Sequence, residues 1–120
     1  MSNSAKSVFY FGFYLVGLGF ILLLQPNFVL RLFGITVTTE VWIRVVGMLV
    51  LALSAYYIAA GKHDLIPILK ITVYVRSSII LFFIAFTVAG SVQPAIILFG
   101  VVDLLGAILT FMALKKEEKW

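Results

Sequence analysis

Four apolar stretches, each close to the length that crosses a bilayer, constrain this chain more than any other feature. A helix needs about 20 apolar residues to pass through about 30 Å of hydrocarbon, and there its backbone N–H and C=O groups must pair within the segment. A window of about 19 residues finds such stretches at 8–24, 41–60, 67–90 and 94–114. In a chain of 120 residues these spans leave room for a single domain. The sequence therefore predicts an all-α membrane protein, a four-transmembrane-helix up-down bundle over residues 1–120. A mean hydropathy of +1.18 agrees with that class. The first span could be mistaken for a secretory signal. Its apolar core is longer than the usual 7 to 15 or so residues, and the "QPNF" that follows offers no small-residue cleavage site, so it is read as a retained helix.

The connections carry their own signals. In "QPNFVLRLFGITVTTE" Pro26 can open a short helix, and the spacing of Phe28, Val29, Leu32 and Phe33 predicts one apolar face with Arg31 opposed, a helix lying flat at the interface between spans one and two. Gly34 offers a stop, and Thr38 or Thr39 a cap for span two. The later connections, "GKHD" and "GSVQP", are brief, so spans three and four are expected as antiparallel neighbours.

Positive charge sets orientation. Lys6, Lys62, Lys115, Lys116 and Lys119 fall on the side shared by both termini and the second connection, with Lys70 one turn inside it. The other side holds Arg31 and Arg44. The bias of Lys and Arg toward cytoplasmic loops then puts both termini inside, with Trp42 and Trp120 as anchors at the two interfaces. The formal charge of +4 is read as topology, because no basic patch alternates with exposed aromatics as a nucleic-acid surface requires. Cysteine is absent and His63, the single histidine, lies in a polar loop. No thiolate, iron–sulfur, haem or His-rich metal site can be assembled from one chain, and no metal or cofactor is expected.

Arg44, Arg76 and Asp103 lie within the spans. Each costs roughly +2.5 to +3.5 kcal/mol near a helix centre, against about −0.3 to −0.6 for each Leu, Ile, Phe or Val. Span three has apolar residues worth roughly −6 kcal/mol against about +6 if Arg76 and Lys70 both bore the full cost, so it is marginal alone. Lys70 can snorkel, whereas Arg76 sits midway and needs a partner. At about 1.5 Å per residue from the outer ends, Arg44 lies roughly 4 to 5 Å deep, Asp103 roughly 13 Å and Arg76 roughly 21 Å. An Arg76–Asp103 pair is therefore expected, with one geometric obstacle: on antiparallel helices the two side chains lean away from each other, and tilt or a water must close the gap. With Arg44 facing the same site its net charge would be +1, which suits an anionic or carbonyl-bearing guest, and Tyr14, Tyr74 and Ser77 could add hydrogen bonds. Small residues recur on the same helices, Gly47, Ser54 and Gly61 in span two and Gly12 and Gly19 in span one, a packing signal for close helix approach. The likeness of "RVVG" at 44–47 to "DLLG" at 103–106 is too uneven in depth to establish a duplication.

The Pro-containing end of span one followed by "LFG", the "WIRVVGMLVLALSAYY" opening span two, the mid-span Arg76 and "GVVDLLGAILT" in span four together resemble the DoxX-like group of small bacterial four-helix membrane proteins. Trp42, Arg44, Gly47 and Asp103 match the group's pattern. The resemblance implies a four-helix bundle in a bacterial inner membrane, in a group whose members mostly lack an assigned activity.

Two functions follow as expectations. One is a binding module for a small anion or amphiphile built on Arg76, Asp103 and Arg44. The other is an accessory or scaffold subunit of a homo-oligomer or larger membrane complex, with the ion pair purely structural. Transfer of a proton through the charged interior is a lesser reading. An enzyme is not expected, since one carboxylate without an intramembrane His, Cys or second acid makes no catalytic pair. Nor is a lone channel, since helices filled with Phe and Leu leave no continuous polar stripe.

Overall fold

In a computed structural model of the protein, residues 1–35, 40–90 and 94–120 are described, and they form the expected all-helical up-down bundle. Four helices are long and apolar enough to cross a membrane: α1 (Asn3–Leu24), α3 (Trp42–Lys62), α4 (Ile66–Val88) and α5 (Ile97–Lys116). The short α2 (Pro26–Leu32) follows α1, and one 3-10 turn (Pro94–Ile96) leads into α5. The long dimension of the molecule, 45 Å, matches a bilayer with its headgroup layers, about 40 to 45 Å. Large apolar side chains such as Phe13, Phe20, Leu49, Phe82 and Leu109 are exposed along the spans, as lipid-facing residues must be.

Helix ends fall where local chemistry puts them. Ser2 caps α1 by accepting the Ala5 amide proton. Behind α2, Gly34 takes a left-handed φ of 72°, so that its amide donates to the Arg31 carbonyl and the Ile35 amide to the Leu30 carbonyl. This doubly bonded helix ending favours glycine, and it is the stop the sequence signalled. Asp64 ends α3 in the same way at φ 53°, a conformation that aspartate tolerates better than most residues. The proposed Thr38 or Thr39 cap lies outside the described residues.

The buried face of α2 differs from the expected one. Pro26, Val29 and Leu30 turn inward and Phe33 packs on Phe99 at 4.7 Å, while Phe28 and Leu32 are 60% and 70% exposed. Phe28 and Leu32 stand four residues apart and form a second apolar face, which a helix at the interface can give to lipid. Counting apolar spacing alone could not separate that face from the one that meets the bundle.

Packing is uneven around the bundle. α1 and α3 run antiparallel along a seam of small residues that holds the two backbones together: a Cβ on Gly47 would lie 2.6 Å from the Leu23 nitrogen, and one on Gly61 2.7 Å from the Ala5 carbonyl oxygen. Gly12 and Gly19 complete the seam, as the ladder in the sequence foretold. α5 packs on α4, where Gly100 closes against Ile80, and also on α1. α3 and α4 follow each other through residues 63–65 yet touch little, so the order around the bundle is α3, α1, α5, α4 with a thin closure between first and last.

Both termini and the 63–65 loop share one end. There Ser4 donates its hydroxyl and amide protons to Glu117, Ser2 donates to Asp64 at 3.0 Å, and Lys119 lies 3.9 Å from Asp64 and 3.7 Å from Glu117. Burial alone would raise the Glu117 pKa, but the bonds from Ser4 and Asn3 and the charge of Lys119 outweigh it and hold the carboxyl below its ordinary range. Trp120 folds back on α4 and α5, with its ring 5.3 Å from Tyr74 and 5.2 Å from Phe111. Trp42, at the other end, is 69% exposed.

Candidate functional site

Arg76 is the largest fully buried side chain among the described residues, only 1% exposed at the middle of α4. Its helix aims it. A side chain on an α-helix leans toward the N-terminus, and Nε accordingly donates back to the Thr72 carbonyl at 3.2 Å while Nη2 reaches Thr72 Oγ1 at 3.2 Å. Nη2 also crosses to α5, where Thr110 Oγ1 accepts at 2.8 Å. Thr110 is itself fully buried, sits 3.1 Å from the Gly106 carbonyl and shares a 2.7 Å hydroxyl contact with Ser7 of α1, so the guanidinium ties three helices together.

Two aromatic faces complete the seat. The guanidinium carbon stands 4.8 Å from the Phe11 ring centre and 5.7 Å from that of Tyr57, distances at which a desolvated cation gains about 2 kcal/mol from an aromatic face. Gly106 makes the room, since a Cβ there would fall 2.9 Å from Nη1. Nη1 is nevertheless unsatisfied: among the described residues it is the one buried side-chain nitrogen or oxygen without a hydrogen-bond partner. Such an atom in a native fold calls for an explanation.

Arg76 borders a partly open cavity of about 260 Å³ lying between α1, α3, α4 and α5. Its walls are apolar, with Leu18, Val46, Val50 and Ile79 among them. Leu30 of α2 and Ile96 of the 3-10 turn cover the end remote from the termini, which is why Leu30 is buried. Tyr14, Tyr57 and Asp103 join Arg76 as the polar lining. The thin α3–α4 closure borders the same space, with Val46, Val50 and Leu53 on one side and Val75, Ile79 and Phe83 on the other.

The expected ion pair is not closed. Arg76 and Asp103 line one cavity, but no N···O distance between them falls within 4.0 Å, and among the described residues Asp103 makes no side-chain hydrogen bond. The cause is the opposed lean of side chains on antiparallel helices: Arg76 points toward the N-terminus of α4 and engages Thr110, two turns beyond Asp103 on α5.

Arg44 is outside the cavity. Its Nη1 donates to the Leu23 carbonyl and, at 3.4 Å, to that of Leu24, so it satisfies the exposed C-terminal end of α1, which has no basic residue of its own there. The site thus holds one cation and one carboxylate, and the net charge of +1 expected with both arginines present is corrected to zero. Tyr14 faces the cavity as expected. Tyr74 and Ser77 do not, for they border a separate shallow groove against Ala107, Phe111 and Trp120. His63 is exposed in its loop. Among the described residues no three His, Asp or Glu side chains gather as metal ligands.

Sequence reasoning missed Tyr57, Phe11 and Gly106 as parts of the site. Tyr57 was within reach, since it falls three residues after Ser54 and four before Gly61 on the small-residue face of α3. No family model, no curated protein and no solved structure matches the chain.

Proposed function

We propose that this chain is a non-catalytic, DoxX-like protein of a bacterial cytoplasmic membrane, with both termini inside, that holds a small amphiphile in its central cavity. The observation that carries this reading is the apolar cavity between the four long helices, with Tyr14, Tyr57, Arg76 and Asp103 as its polar lining. A buried charge left short of a partner is expensive, and ions kept inside a membrane protein usually serve a ligand or an ion path. The apolar walls suit an acyl chain, and the polar end suits a head group. The gathering of Lys62, Lys115, Lys116 and Lys119 at the end shared by both termini supports the orientation.

Native mass spectrometry of protein gently extracted from its own membrane tests the proposal, with Val50→Phe as the cavity-filling control. Wild type should carry a non-covalent adduct of amphiphile mass, and Val50→Phe should carry little of it. A bare chain in both would overturn the reading. A co-retained protein subunit without an adduct would replace it with the accessory-subunit function.

A further inference from the structure

We infer that the groove between α4 and α5, at the end shared by both termini, holds an anionic phospholipid of the adjoining leaflet, with its phosphate at Lys70 and Lys115 and an acyl chain along the groove toward Ser77. The groove shares no lining residue with the central cavity, so this lipid site is independent of what the cavity holds.

Shape comes first. The groove, about 340 Å³, has Tyr74 and Ser77 of α4 on one bank and Ile108 and Phe111 of α5 on the other. The Trp120 ring joins the banks, 5.3 Å from Tyr74 and 5.2 Å from Phe111. Tyr74, Ile108 and Phe111 are exposed, so the groove opens on the outside of the bundle, where lipid lies. Ser77 follows Lys70 by two turns of α4, about 10 Å deeper at about 1.5 Å per residue, so the groove leads from the head-group level into the hydrocarbon as an acyl chain does.

Charge comes second. Lys70 Nζ stands 6.0 Å from the Trp120 ring centre and Lys115 Nζ 5.6 Å from that of Phe111, so two ammonium groups overlook rings of one groove. Neither is in an ion pair or a side-chain hydrogen bond among the described residues, since the ion pairs at this end belong to Lys119. A ring orients an ammonium but accepts none of its three N–H donors in the way an oxygen does. A phosphate supplies both the oxygens and the opposite charge, and basic sites between membrane helices at head-group level take anionic lipids in this way. A choline head is disfavoured, because it would set a further cation beside two ammonium groups.

Depth comes third. Lys70 lies one turn inside α4 and is half-buried, unlike Lys62 and Lys116, which are exposed at helix ends. Its apolar stem can run along the helix while the ammonium reaches back to the head-group level, the level at which Tyr and Trp rings also settle. A cation drawn that far toward hydrocarbon is costly, and a lipid phosphate beside it offsets the cost.

The test uses the full chain carrying Trp42→Phe, which leaves Trp120 as its single tryptophan. The protein is placed in phosphatidylcholine vesicles containing a rising fraction of lipid brominated on its acyl chains near the glycerol, where bromine quenches an adjacent indole. Brominated phosphatidylglycerol should quench Trp120 at lower fractions than brominated phosphatidylcholine, with a preference of about fivefold for each lysine engaged, the worth of one basic residue near an anionic surface. Lys70→Gln and Lys115→Gln should each lower that preference about fivefold, whereas Lys62→Gln, which does not border the groove, should change it less than about twofold. Equal quenching by the two brominated lipids before any lysine is changed overturns the inference. So does a loss with Lys62→Gln as large as those with Lys70→Gln and Lys115→Gln, which marks a diffuse attraction to the basic end in place of a site.

Discussion

Replacing Thr110 with valine removes one hydroxyl at nearly constant volume, and the structure states what is lost. The Thr110 hydroxyl accepts from Arg76 Nη2 at 2.8 Å and contacts Ser7 Oγ at 2.7 Å, so it joins α5 to both α4 and α1. Hydrogen bonds to charged groups are worth about 1.5 to 3 kcal/mol in soluble proteins. Side-chain bonds between membrane helices average about 0.6 kcal/mol with a ceiling near about 1.7, because helices separated in lipid also find partners. Arg76 on an isolated α4 would keep its two bonds to Thr72, so the membrane scale applies, at its upper end for the charged bond and near its mean for Ser7. The sum predicts that Thr110→Val costs about 2 kcal/mol, read from reversible unfolding in mixed micelles. In a double-mutant cycle Thr110→Val and Arg76→Met should couple by about 1.5 kcal/mol. Thr87→Val is the control: that hydroxyl donates only within its own helix, to the Phe83 carbonyl, and its loss should cost less than about 0.5 kcal/mol. A Thr110→Val cost no larger than that of Thr87→Val, or strict additivity with Arg76→Met, would refute the assignment of Thr110 as the main partner of Arg76. So would a coupling between Arg76 and Asp103 larger than the one between Arg76 and Thr110.

Three further outcomes are expected. Gly47→Ala should destabilise the fold by about 2 to 3 kcal/mol in the same assay, since its Cβ would meet backbone atoms of α1 at 2.6 and 2.9 Å, whereas Gly17→Ala, with nothing within 4 Å, should be neutral or mildly stabilising. Glu117 has a folded-state pKa below its ordinary 4.5, so its contribution is present in full above that value and is lost as the pH falls through the lower folded value; thermal stability should drop below about pH 4.5, and Glu117→Gln should remove that part of the pH dependence. The chain has no cysteine, so single cysteines report sidedness without background: in intact cells a membrane-impermeant maleimide should label Val41→Cys and spare Lys62→Cys, and the reverse pattern would invert the proposed topology.

The bundle was legible because its determinants are local in sequence. Span lengths follow from runs of apolar residues, and the α1–α3 seam from glycines repeating at helical spacing. The limits of the spans shifted by a few residues, as at α1, which begins at Asn3 because Ser2 supplies a cap that hydropathy does not register. Arg76 and Asp103 were legible as members of one site through their depth, but their relation was not. Depth is a single coordinate, and the lean of each side chain decides what it meets. Arg44 shows the same limit, because its depth does not say whether the side chain turns to the cavity or to the carbonyls at the end of α1. Tyr57 and Gly106 act through shape, one as a wall and one as a space, and neither announces that role by residue type.

The uneven packing bears on why a cavity can persist in so small a bundle. In water, a void of this size in a protein core is penalised because burial is driven by exclusion of solvent and the lining loses its contacts. In lipid that drive is missing, since acyl chains are as apolar as leucine, and helices associate through close backbone approach and interhelical hydrogen bonds. Here those forces are concentrated on two seams, α1 with α3 through glycine and α4 with α5 through Gly100 and the Arg76–Thr110 bond. Once these are made, little draws α3 onto α4, and an acyl chain between them restores the dispersion contacts that collapse would have given. The polar lining does not balance in that way, because a chain alone leaves the Asp103 carboxylate without a hydrogen bond. The apolar walls therefore select a chain and the unmatched Asp103 carboxylate selects a polar head, so an amphiphile is the class of guest that answers both halves of the proposed site.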